Sequence, residues 1–168
     1  MSTPLEQVLI RRKKSEMIEF LAQHPQNFDP AMLLALGNEL PICWRAAWLV
    51  GGTTEKNDAR IKQYIHQIIK VLPERGDGHQ RELLKLLLKM DLTEDYESLL
   101  FDHSVSIWEQ VRKQPSVRYF AFKGMVKVTE KYPDLKNEVL SLTQPHFINP
   151  LSPGIRKGVL KIIKQLGS

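Results

Sequence analysis

Residues 41–52 read PICWRAAWLVGG, an apolar run opened by a proline and closed by two glycines. Its arginine, Arg45, has three successors that each precede a similar run: Arg81 in RELLKLLLKM, Arg118 in RYFAFKGMV and Arg156 in RKGVLKIIKQL. The steps between them are 36, 37 and 38 residues. Upstream of each stands a residue that starts or breaks helices: Pro41, then Asp77 and Gly78, then Pro115, then Pro153. A near-constant period of this size marks a helical repeat, in which each unit buries its apolar face by stacking on its neighbours.

On the N-terminal side, residues 4–23 read as one helix. Leu5, Val8, Leu9, Met17, Ile18, Phe20 and Leu21 are apolar, and the charged block at residues 11–14 allows a bend. His24-Pro25 ends this helix, because the residue before proline is pushed out of the helical region. Asp29-Pro30 predicts a capped short helix over 31–38. Residues 1–40 therefore fit a capping segment, distinct from the repeats at 41–168 that it seals. Further helices are expected at 42–50, 59–72, 80–90, 93–113, 116–131, 135–142 and 154–166, about nine in all, with 145–153 as the longest irregular connection. All ten prolines fall at the boundaries of these segments. An interior proline would cost about 3 kcal/mol. No strand-like alternation of useful length occurs, so the prediction is an all-α, right-handed α-solenoid of helical hairpins forming a single domain over residues 1–168.

The spaced arginines, with small residues near them (Ala46 and Ala47; Ala121 and Gly124; Gly158), resemble the HEAT and armadillo class of repeats over residues 41–166. In such repeats an arginine of this kind is often structural, paired with an acid or a carbonyl of the next repeat. The resemblance implies that role for Arg45, Arg81, Arg118 and Arg156, the alternative being that the four line one groove. The phrase CWRAAWLVGG is also similar to short bacterial HEAT-like proteins, some of which carry the label adenylosuccinate lyase. The serine-bearing flexible loop of that enzyme family has no counterpart in this chain, and no catalytic residue is carried over.

Composition excludes several classes. With 42% hydrophobic and 26% charged residues the chain matches globular averages. No apolar run approaches the roughly 18 residues that span a bilayer, and the N-terminus lacks the order of a signal peptide. A cytoplasmic protein is expected. The single cysteine, Cys43, sits in an apolar helix and reads as a buried thiol. His24, His66, His79, His103 and His146 match no metal-ligand spacing. There is no activated-serine motif and no phosphate loop, so neither a catalytic residue nor a cofactor or metal site is predicted.

Charge is the informative feature. Residues 112–168 carry 11 basic side chains against 3 acids, a net +8, while the whole chain carries +5. Lys123, Lys127 and Lys131 follow at i, i+4, i+8, and Lys157, Lys161 and Lys164 at i, i+4, i+7, so each set lies along one face of its helix. Superposing Arg118 on Arg156 places Lys123 on Lys161. The two sets, with Arg112, are expected to form one basic surface for an anionic partner, although amphipathic helices also need a wet side that lysine supplies. Trp44 and Trp48, one turn apart on the most apolar helix, read as core, and Trp108, beside Glu109, as partly exposed. The expected function is a non-enzymatic protein-interaction module with an unidentified protein partner. The alternative is a nucleic-acid binder or DNA-repair protein using the same basic face. Alkylpurine DNA glycosylases of HEAT-like fold combine a basic concave face with aromatics and a catalytic aspartate, and no residue set here maps onto that site.

Overall fold

The computed structural model describes all residues, 1–168, as twelve α-helices with three short 3-10 turns and no strand. The helices gather into two compact units, Met1–Met90 and Asp91–Ser168.

The first unit contains α1 (Pro4–Arg11), α2 (Lys14–Gln23), α3 (Phe28–Leu36), α4 (Ile42–Thr53), α5 (Ala59–Lys62), α6 (Ile65–Val71) and α7 (Asp77–Leu88). Helix α4, the opening stretch of the sequence argument, is central and packs on α1, α2, α3 and α7. Its Ala46, Ala47, Leu49 and Val50 are fully buried, the two alanines giving little bulk on the packed side. Against it α7 contributes Leu83, Leu84, Leu86 and Leu87, all without exposed surface. Each such leucine contributes about 1.5–3 kcal/mol of burial. Cys43 is buried and unpaired, and burial raises its thiol pKa.

The second unit contains α8 (Glu94–Glu109), α9 (Pro115–Lys131), α10 (Lys136–Ser141), α11 (Pro145–Ile148) and α12 (Pro153–Leu166). Helices α8 and α9 form its main hairpin, and α10 and α12 also pack on α9. The two helices approach closely at Gly124, where an added Cβ would collide with the buried hydroxyl of Ser104.

Twelve helices stand where about nine were expected, for three local reasons. Residues 4–23 break at Arg12 and Lys13, both in extended conformation, into α1 and α2. Residues 59–72 break at Gln63 and Tyr64 into α5 and α6. Pro145 opens a one-turn helix, α11, inside the segment read as irregular. Asp29 is not the N-cap of α3 but lies in its first turn. There its carboxylate accepts a 2.6 Å hydrogen bond from the Tyr64 hydroxyl, and burial together with this bond pushes the phenol pKa up to about 12.

Candidate functional site

The repeated arginines occupy matching places. Arg45, Arg118 and Arg156 are each the fourth residue of α4, α9 and α12, and Arg81 is the fifth of α7. An α-helix leaves its last carbonyls without intrahelical donors. Arg45 donates through Nε to the Leu9 carbonyl and through Nη2 to that of Arg12 at 2.7 Å, closing the C-terminus of α1. Arg118, with no exposed surface, donates to the Trp108 carbonyl at 3.0 Å and the Phe147 carbonyl at 2.8 Å. Arg156 donates to Asn149 and Leu151 at 2.7 and 3.0 Å, at the end of α11. Arg81 differs: its Nε meets the carboxylate of its neighbour Glu82 at 3.0 Å. Arg45, Arg118 and Arg156 thus share one chemistry, donation to backbone carbonyls near a helix end.

The basic residues of the second unit fall into two groups. On α9, Lys123 and Lys127 are half-buried and Lys131 is exposed. The Lys123 ammonium lies 4.6 Å from the Tyr119 ring centroid and 5.4 Å from that of Phe120. Lys131 donates at 2.7 Å to Glu97, and this bond raises the pKa of the lysine. Lys127 and Lys131 border a cavity of about 360 Å³ together with Asp91, Glu97 and Glu130, so acids accompany this end of the lysine row.

On α12 the situation is the reverse. Lys157, Lys161 and Lys164 are exposed around Leu160, itself 48% exposed, while Val159 and Leu166 face inward. None of the three lysines takes part in an ion pair. Like charges at i, i+3 and i, i+4 cost roughly 0.2–0.5 kcal/mol each, so stability alone does not favour this arrangement. Tyr119 connects the two rows: its ring would lie 3.3–3.5 Å from a Cβ on Gly158 of α12, and it carries Lys123 on α9. Arg112 is exposed in the turn between α8 and α9. Trp108, expected to be partly exposed, is fully buried, its indole N–H donating to the Leu142 carbonyl at 2.8 Å.

A family model described as a HEAT repeat domain matches residues 1–166. The chain belongs to the HEAT repeat family. Comparison with curated proteins and with solved structures found no match. HEAT repeats are generally protein-interaction scaffolds. No group of three or more His, Cys, Asp or Glu side chains is placed to hold a metal ion, and no helix is long and apolar enough to cross a membrane.

Within this HEAT chain, several side chains that the repeat pattern did not single out serve the same end as the arginines. The C-terminus of α3 is closed by Arg75, donating at 2.8 Å to the Leu36 carbonyl, and by buried His79, whose Nε2 lies 2.6 Å from the Ala35 carbonyl. A carbonyl only accepts, so His79 holds its proton on Nε2. Lys89 closes α4, reaching the Gly51 and Thr54 carbonyls at 2.8 and 2.9 Å. Sequence signals for these were slight, because a helix-end donor can come from any lysine, arginine or histidine that the fold brings near. The half-buried state of Trp44 and Trp48 was also not expected.

Proposed function

We propose that this HEAT repeat chain is a non-enzymatic interaction module, working in the cytoplasm, that offers the basic α9–α12 face to an acidic protein partner. The observation that carries this reading is Leu160, an exposed apolar side chain ringed by Lys157, Lys161 and Lys164, three cations with no ion pair. An apolar centre with a charged rim is the usual anatomy of a protein interface. Complementary charge on the partner would speed association and fix its orientation. Lys123, Lys127, Lys131 and Arg112 would extend the rim, with the Glu97 contact holding Lys131 toward the cavity side.

A second reading, nucleic acid on the same face, is favoured by one observation: Lys123 lies over Tyr119 and Phe120, a cation beside aromatic surface of the kind that accepts bases. Capture from lysate by the wild-type protein and by a Lys157→Glu/Lys161→Glu/Lys164→Glu variant, each with and without nuclease, separates the two. The protein reading expects a bound polypeptide that survives nuclease and is lost with the variant. Loss on nuclease treatment would favour the second reading, and capture unaffected by the charge reversal would defeat both.

A further inference from the structure

The block RRKK at residues 11–14 and the tryptophans of WRAAW at residues 44–48 lie some thirty residues apart in sequence, and the fold of the first unit joins them. The joint is Arg45, whose donation to Leu9 and Arg12 holds the elbow between α1 and α2 against α4. Gly52 makes room for it: a Cβ there would press on the Lys14 side chain at 3.1 Å. Lys14 thereby lies across α4, its ammonium 4.8 Å from the Trp48 ring centroid.

Trp44 and Trp48 are half-buried, and their rings are 5.9 Å apart with planes 36° apart, so they do not stack flat on each other. The two residues are one helical turn apart on α4, and the Arg45 guanidinium lies 5.6 Å from the Trp44 centroid and 5.9 Å from that of Trp48. Arg11, Arg12 and Lys13, in the elbow whose Arg12 carbonyl Arg45 holds, are exposed. Lys14 also acts electrostatically on Lys89, which extends the positive region to the end of α7. An acid, Glu16, lies 3.7 Å from Arg12.

We propose that this surface, formed by Arg11, Arg12, Lys13, Lys14, Trp44 and Trp48, binds single-stranded nucleic acid. The phosphates pair with the lysines and arginines of the α1–α2 elbow, and bases stack on the two indoles, the combination that single-strand binders use. A single strand is favoured over a duplex because stacking on a side chain needs an unpaired base face. Lys14 lies 4.8 Å from the Trp48 centroid and Arg45 5.6 and 5.9 Å from those of Trp44 and Trp48, a mixed cation and aromatic surface of the kind single-strand binders use, whereas an acidic polypeptide would use the cations alone.

The test is titration of the intact protein into a labelled oligothymidylate at low salt, read by anisotropy and by intrinsic tryptophan emission. Trp108 is fully buried, so emission changes report on Trp44 and Trp48. Binding with quenched emission is expected, with affinity falling steeply as salt rises. Arg11→Glu/Lys13→Glu, which alters exposed side chains only, should weaken binding at least about tenfold. Trp44→Leu/Trp48→Leu, checked for helicity by circular dichroism, should weaken it roughly tenfold or more. Trp48→Phe should retain most of the affinity and lose part of the quench. Absence of binding overturns the proposal. So does binding that leaves emission unchanged, or that is as tight for heparin and indifferent to the tryptophan changes, which would make the surface a simple polyanion patch. Binding lost on reversal of Lys157, Lys161 and Lys164 but kept in Arg11→Glu/Lys13→Glu places the strand elsewhere and also overturns it.

Discussion

The guanidinium of Arg118 lies 4.4 Å from the ring centroid of Trp108, and its Nε donates to the carbonyl of the same residue. One arginine thus fixes both the side chain and the backbone end of α8, while its Nη2 reaches the Phe147 carbonyl in α11. No carboxylate shares this buried position, and desolvation lowers the pKa of the guanidinium. Hydrogen bonds to a charged donor contribute about 1.5–3 kcal/mol each when buried.

Arg118→Lys is therefore expected to be costly despite conserving charge. A single ammonium cannot span two carbonyls in different helices or lie flat on an indole. The expected loss is about 3 kcal/mol, a fall in Tm of roughly 6–12 °C for a chain of this size. Thermal unfolding followed by circular dichroism measures it, and a Tm within 2 °C of wild type would show that the bonds to Trp108 and Phe147 contribute nothing net.

Gly124→Ala tests the α8–α9 hairpin. Alanine is normally the better helix residue by about 1 kcal/mol, yet a methyl at this position meets the Ser104 hydroxyl. Overpacking of this kind costs about 1–3 kcal/mol, so the substitution should lower stability rather than raise it. The double variant Gly124→Ala/Ser104→Ala should recover part of the loss, since it removes the colliding oxygen, which itself has no hydrogen-bond partner. If the single variant proves more stable in chemical denaturation, the close approach is not a constraint.

Much of this fold was legible because the signals were redundant. Proline at the first helical position marked α1, α9 and α12 within a residue, and the recurring arginine gave the period. Arg81 shows the limit of that pattern: it keeps the spacing but pairs with Glu82, while Arg75 and His79 close the helix end that the period would have assigned to it. Sequence spacing reports which residue types recur, not which carbonyl lies within reach. The candidate sites were less legible for the same reason. Lys127 and Lys131 looked like part of a free cationic row, and only the fold places Glu97 and Asp91 beside them. Trp44 and Trp48 satisfied every local criterion for core, and nothing local records that the fold leaves them half-buried with Lys14 of α2 against Trp48.

His79 gives the first unit a dependence on pH. Burial first, with the nearby Arg75 charge adding to it, lowers the histidine pKa in the folded state. Its unfolded value is near 6.5. The folded state thus prefers the neutral ring, so its contribution is complete above about pH 6.5 and is lost as pH falls below that value. His79→Gln keeps a donor toward the Ala35 carbonyl and removes the titration. The wild-type Tm should drop more than that of His79→Gln between pH 7 and pH 5, and parallel pH profiles for the two would exclude His79 as the source.

The lysines of α12 allow stability and binding to be separated. Lys161 has Lys157 at i−4 and Lys164 at i+3, and no acid offsets them. Lys161→Glu turns two repulsive pairs into attractive ones, each interaction being worth roughly 0.2–0.5 kcal/mol on a helix surface. Stability should stay level or rise by up to about 1 kcal/mol, with the gain fading at high salt as the charges are screened. Affinity for an acidic partner should fall at the same time, chiefly through a slower association rate, because rim charges steer encounter more than they hold the complex. A residue kept for packing would show the opposite pairing, with stability falling and association unchanged. Surface plasmon resonance beside thermal unfolding on the same variant measures both quantities, and a loss of Tm at Lys161 would count against the basic face as a surface maintained for a partner.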